Sequence, residues 1–126
     1  MTTGAQIINE VLTSAAGVTV LVSGRIYLYQ APQDVQLPCI TFFQITSDPN
    51  NTLSGPSAVT RERWQIDCWS DRYSGAISLA ASVKAAMLAS VGDNDLDSVV
   101  LLSELAQFER EEALHRVILD FSIWHT

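Results

Sequence analysis

Apolar and polar residues alternate most regularly over residues 61–69, Arg61-Glu62-Arg63-Trp64-Gln65-Ile66-Asp67-Cys68-Trp69. Successive strand side chains point to opposite faces, so this spacing predicts a half-buried strand. Trp64, Ile66 and Cys68 face inward, and Arg63, Gln65 and Asp67 face outward. Past Ser70 or Asp71, either suited to capping, the period lengthens. Tyr73, Ile77, Ala80, Val83 and Met87 recur at spacings of three or four, which places them on one stripe of a helix. That stripe needs a sheet face to bury it, and the strand before it supplies one.

Upstream, Thr3 or Thr2 caps a first helix carrying Ile7, Ile8, Val11 and Leu12 and ending near Gly17. Residues 18–22 fit either a last helical turn or a short strand. Gly24 introduces a strand over residues 25–29, and a polar connection between Pro32 and Pro38 leads to a β-branched and aromatic strand over 39–46. Residues 47–60 are crowded with turn formers and predict an extended loop. Hairpins usually close within ~2–5 residues, so a longer connection marks function or disorder.

Gly92 ends the second helix, and residues 93–97 form a polar turn. Strands follow over 98–108 and 114–125, joined by an acidic turn. Val117, Leu119, Phe121 and Ile123 give the last strand an apolar face. Its other face, Arg116, Ile118, Asp120, Ser122 and Trp124, echoes Arg63, Gln65, Asp67 and Trp69. Antiparallel neighbours with such faces pair Arg with Asp across strands, for roughly 0.2–1 kcal/mol per pair. The expected fold is a single α+β domain over residues 1–126: an antiparallel sheet covered on one face by two helices, in the order α-β-β-β-α-β-β.

A chain of 126 residues fits one domain and buries roughly two-thirds of its unfolded surface. Its first residues lack a basic start and long apolar run, and no stretch approaches the ~20 apolar residues that span a bilayer. The expectation is a cytoplasmic protein with no membrane partner. Cys39 and Cys68 then read as buried reduced thiols, and the Asn50-Asn51-Thr52 sequon goes unglycosylated. Net charge is −7, with six acids and five bases in residues 1–92 and eight acids and two bases in residues 93–126. Affinity for phosphates needs clustered Lys and Arg, which disfavours conventional nucleic-acid binding.

Asp93, Asp95, Asp97 and Glu104 match positions of a calcium loop. However, Ser98 stands where the tight turn needs Gly, and Val99-Val100-Leu101-Leu102 reads as strand. A solvated acidic turn is the better reading. His115 and His125 flank the last strand at opposite ends, too far apart to share one ion, and read as exposed or terminal. Glu109, Glu111 and Glu112 read as a solvated tip. No phosphate loop, Cys or His metal spacing, or nucleophile elbow is present, so no catalytic, cofactor-binding or metal-binding residue is assigned, and the chain reads as a non-enzyme.

Several motifs taken in order carry a resemblance: Gly24-Arg25-Ile26-Tyr27, Ala31-Pro32, Leu37-Pro38-Cys39-Ile40, Thr52-Leu53-Ser54-Gly55-Pro56, Arg63-Trp64-Gln65-Ile66-Asp67-Cys68-Trp69 and Leu119-Asp120-Phe121-Ser122-Ile123-Trp124-His125. Together they resemble the tail completion (tail terminator) proteins of long-tailed bacteriophages, with relatives in prophages and gene-transfer agents. Cys39 departs from the large residue expected after the proline. The resemblance implies a virion protein that forms a hexameric ring, caps the tail tube, stops its polymerisation and meets the head connector or stopper. Its partners would be other copies of itself, the tail tube protein and the connector, with DNA passing through the lumen. Six copies would carry six times −7, or −42, which repels phosphate wherever it lines a channel.

Within this frame, Asp48, Asn50, Asn51, Thr52, Leu53, Ser54, Gly55 and Pro56 are the expected partner-docking loop. Two tryptophans on a polar sheet face exceed what solubility requires, and interface centres favour aromatics and Arg. Arg63, Gln65, Asp67, Trp69, Arg116, Asp120 and Trp124 are therefore the expected subunit interface. The alternatives are a head-side neck connector or stopper, or a monomeric α+β domain binding a small molecule between helices and sheet.

Overall fold

The structure is a computed structural model that describes residues 3–52, 55–93 and 96–126. The first helix, α1 (Gly4–Ser14), opens with a capping box. Thr3 Oγ1 accepts from the Gln6 N–H at 3.2 Å, and Gln6 Oε1 accepts from the Thr3 N–H at 2.8 Å. Ile7, Ile8, Val11 and Leu12 are buried, as their spacing predicts. At Ala15 the backbone becomes extended, and α2 (Ala16–Val22) leaves at 82° to α1. Residues 18–22 thus belong to a second short helix, and the bend folds Val18 and Val22 back onto the core that α1 covers.

Five strands follow: β1 (Ile26–Leu28), β2 (Cys39–Thr52), β3 (Gly55–Ser70), β4 (Leu96–Glu109) and β5 (Leu114–His125), with α3 (Tyr73–Ala89) between β3 and β4. The spatial order is β1-β2-β3-β5-β4. All pairings are antiparallel except β1 with β2, which is parallel because residues 29–38 cross over before the chain turns back into the sheet.

The extended loop expected over residues 47–60 is instead mostly hairpin. Pairing continues through Ser47↔Glu62, Asp48↔Arg61 and Pro49↔Thr60 to Thr52↔Gly55. Backbone ladder bonds propagating from the well-patterned base outweigh the local turn preference. The turn formers show instead as the register shift between Pro49 and Asn51, and a second shift falls at Ile45, between Gln44 and Thr46.

All three helices lie on one sheet face. Ile40, Phe42, Trp64, Ile66, Cys68, Val117, Leu119, Phe121 and Ile123 meet them there. The buried stripe of α3 is Ala76, Leu79, Ala80, Val83 and Met87, while Ile77 is half-buried and Tyr73 exposed. The predicted stripe is therefore rotated at its first turn. Arg72 is the N-cap and makes no side-chain cap; Ser70 Oγ accepts from its N–H at 3.2 Å. No single helix among the described residues is long and apolar enough to cross a membrane.

Candidate functional site

The sheet face away from the helices carries the polar cluster that the sequence pattern implies. Register places Gln65 opposite Asp120 and Trp69 opposite Arg116, so each Arg reaches an Asp diagonally. Arg63 lies 3.6 Å from Asp120, and Arg116 lies 3.8 Å from Asp67. These are the two cross-strand pairs expected from the Arg-x-x-x-Asp echo.

Arg116 is the hub of this cluster. Besides Asp67, it reaches Glu109 at 3.2 Å and donates to Gln107 Oε1 at 3.5 Å. Its guanidinium stands 5.0 Å from the centroid of the Trp69 ring, where the negative π face attracts a cation. Trp69 Nε1 donates to Thr41 Oγ1 at 3.0 Å, which locks the indole against the sheet. Asp67 is only 3% exposed, and Gln65 Nε2 donates to its Oδ1 at 2.9 Å. Burial pushes its carboxyl above the ordinary carboxylate value, against the pull of Gln65 and Arg116. At the far end of β5, Trp124 carries Arg61 at 6.0 Å from its ring.

One end of this face is hollowed into a groove of about 620 Å³. Tyr29, Val35, Leu37, Phe43, Trp69 and Leu114 supply its apolar walls, and Thr41, Asp67 and Arg116 also line it. Tyr29 adopts a positive φ of 69°, and its ring stacks on Phe43 at 6.4 Å. Left-handed backbone is costly for a residue with a Cβ, so this conformation is held by its surroundings. Its N–H donates to Phe42 O at 2.8 Å. Sequence reasoning missed Tyr29, Phe43 and the segment after them. The only available signal was the proline-bracketed connection, which gave no indication of which face it crosses. The groove lies opposite the helices, not between helices and sheet.

Arg63, Gln65, Asp67, Trp69, Arg116 and Asp120 come together in this cluster, while Trp124 stands apart beside Arg61. Asp48, Asn50, Asn51, Thr52, Gly55 and Pro56 occupy the hairpin backbone, and Leu53 and Ser54 lie outside the described residues. Cys39 and Cys68 are free and buried, as expected; burial pushes the Cys39 thiol up to about 11 despite the nearby Arg25.

The calcium-loop spacing does not correspond to a loop. Asp97 and Glu104 sit on β4, Glu104 pairs with Lys84 at 2.7 Å, and Asp95 lies outside the described residues. His115 is wedged between Tyr73 and Phe108, its ring centroid 5.9 and 4.9 Å from theirs. His125 is buried, contrary to the expectation for a near-terminal residue. Its Nε2 lies 3.3 Å from Glu62 Oε2, and Glu62 Oε1 accepts from Trp64 Nε1 at 2.8 Å.

A solved structure described as "Virion of native gene transfer agent (GTA) particle" shares the fold. Its TM-score is 0.71 at 18% identity, covering 94% of this chain and 90% of that one. Two structures from Akkermansia muciniphila align over 98% of this chain and over 86% and 78% of their own. Their identities are 15% and 14%, and their TM-scores of 0.38 and 0.40 are too low to inform the comparison. No curated protein sequence matches the chain. The profile of the family described as "Tail completion protein gp17" matches residues 6–126. With the match running over nearly its whole length, the chain belongs to the tail completion protein gp17 family and is a structural protein of a phage-type tail in the virion.

Proposed function

We propose that this chain assembles as a ring that caps the tail tube, ends its polymerisation and joins the tail to the head connector or stopper. The observation that carries this reading is the uncovered sheet face, with its Trp69–Arg116–Asp67 cluster and adjoining groove. Aromatic and Arg side chains fixed by neighbours lose little freedom on docking and are what interface centres favour. A standard interface buries ~1,600 Å², somewhat over half of it apolar, for a gross gain of roughly 20 kcal/mol at ~25 cal/mol/Å² before ordering costs. Like charges ~8 Å apart in water repel by only about 0.5 kcal/mol, so net acidity does not prevent assembly.

The hairpin made by the far ends of β2 and β3 supports a division of labour. The register of β3 with β5 ends at Thr60↔His125, whereas its register with β2 runs on to Thr52↔Gly55. An arm extending past the sheet is suited to reach a neighbouring ring of tail tube or connector protein. Deleting residues 50–57 should leave a folded protein that fails to join heads to tails, seen as separate heads and tails by electron microscopy. Normal infectious particles from that deletion would sink the docking role of the arm.

A further inference from the structure

The two edges of the sheet are open at the same height. On one side β4 is an edge strand of 14 residues, paired among the described residues only with β5. On the other, β1 covers β2 only at Ile40, Thr41 and Phe42, leaving β2 from Phe43 onward without a strand neighbour on that side among the described residues. Following the register across the sheet, Gln44 stands level with Trp64, Phe121 and Leu101. Thr46 stands level with Arg63, Ser122 and Val100.

Each open edge exposes at least one apolar side chain at that level. Ile45, in the irregularity of β2, is 38% exposed; Val100 and Leu102 of β4 are 43% and 48% exposed, and Leu102 occupies an irregularity of its own. β4 contains no lysine or proline, the usual guards against strand addition, and its centre reads Val99-Val100-Leu101-Leu102. Strand directions also match. β3 opposes β2, β5 opposes β3 and β4 opposes β5, so β4 runs antiparallel to β2. A copy placed beside the first with its sheet continuing in the same sense would present β2 to β4 as an antiparallel partner.

We infer that the free edge of β4 pairs with the free edge of β2 in a second copy of this chain, setting residues 43–48 against 98–103 in one continuous sheet. The contact is head-to-tail, because two different edges meet, and head-to-tail contacts repeat until they close into a ring. Backbone hydrogen bonds supply the pairing, and Ile45, Val100 and Leu102 supply apolar burial beside it. This inference rests on the ring proposed above and specifies which edges build it.

The test uses two variants of the full chain, Ile45→Lys and the double variant Val100→Lys/Leu102→Lys, whose altered positions are exposed. Sedimentation velocity should find wild type as a closed oligomer and each variant alone as a monomer, with a native circular-dichroism spectrum and a cooperative thermal transition showing that it is folded. An equimolar mixture should give dimers and nothing larger, since each variant keeps one intact edge and the two intact edges are complementary. If both variants assemble like wild type, the edge pairing is wrong while the ring stands. Dissociation by the β4 variant alone, with the β2 variant unaffected, would overturn the inference in favour of β4–β4 pairing or another occupant. Wild type that stays monomeric at every concentration would overturn both the inference and the ring.

Discussion

Asp67 is the residue on which the outer face turns. It is nearly sealed from water, yet its neighbours are two strands of an otherwise accessible sheet face. Since burial raises its folded carboxyl above the unfolded value, at a pH between the two values the folded chain holds a proton that the unfolded chain has already released. Stability contributed by this group therefore falls as pH rises from the unfolded value near ~3.9 to the raised one, and the loss is complete above it. Asp67→Asn should flatten that slope, which urea denaturation from about pH 4 to about pH 7 would measure. Identical slopes in the two proteins would show that Asp67 does not titrate differently on folding. Its Arg116 partnership was legible in advance because both residues lie on alternating strands that repeat one motif. The Trp69–Thr41 bond was not, because it joins strands 28 residues apart whose register no local pattern sets.

At the scale of elements, α1 shows how closely helix and sheet are fitted. A Cβ built on Gly4 would collide with Glu62 Oε1 and lie 3.0 Å from Trp64 Nε1. Glu62 has little room to yield, being 9% exposed and engaged by Trp64 and His125. Gly4→Ala should therefore destabilise the fold by about 1–3 kcal/mol, the usual range for overpacking, read as a lowered melting temperature. An unchanged melting temperature would mean that the helix can lift without loss. The capping box and the Ile7, Ile8, Val11, Leu12 stripe were readable because both are local periodicities. The hairpin over residues 47–60 was not, since its residues favour turns and only pairing to a distant segment makes them strands. The same limit hid α2, whose short apolar run has no period of its own.

For the whole molecule, the interface proposed on the outer face separates what folding needs from what assembly would need. Trp69 is braced by Thr41 and Arg116, yet it stands on the face away from the core. Trp69→Ala should leave the monomer folded and raise the concentration at which the oligomer dissociates by tenfold or more, the order expected of an interface aromatic. Dilution followed by mass photometry would measure this, and an unchanged midpoint would remove Trp69 from the interface.

The division into inner and outer faces was settled by the order of residues alone. Period 2 in residues 61–69 and 114–125 and period near 3.6 in the helices are local properties that any packing must respect. Cross-strand Arg–Asp pairing followed from the same alternation. Which strands are neighbours was a different matter. The parallel entry of β1, the extension of the hairpin, the groove under Tyr29 and Leu37, and the level open edges of β2 and β4 all arise from contacts between segments far apart in the chain. Such contacts depend on the free energy of the whole fold, with each pairing conditional on the others, so no window of sequence contains them.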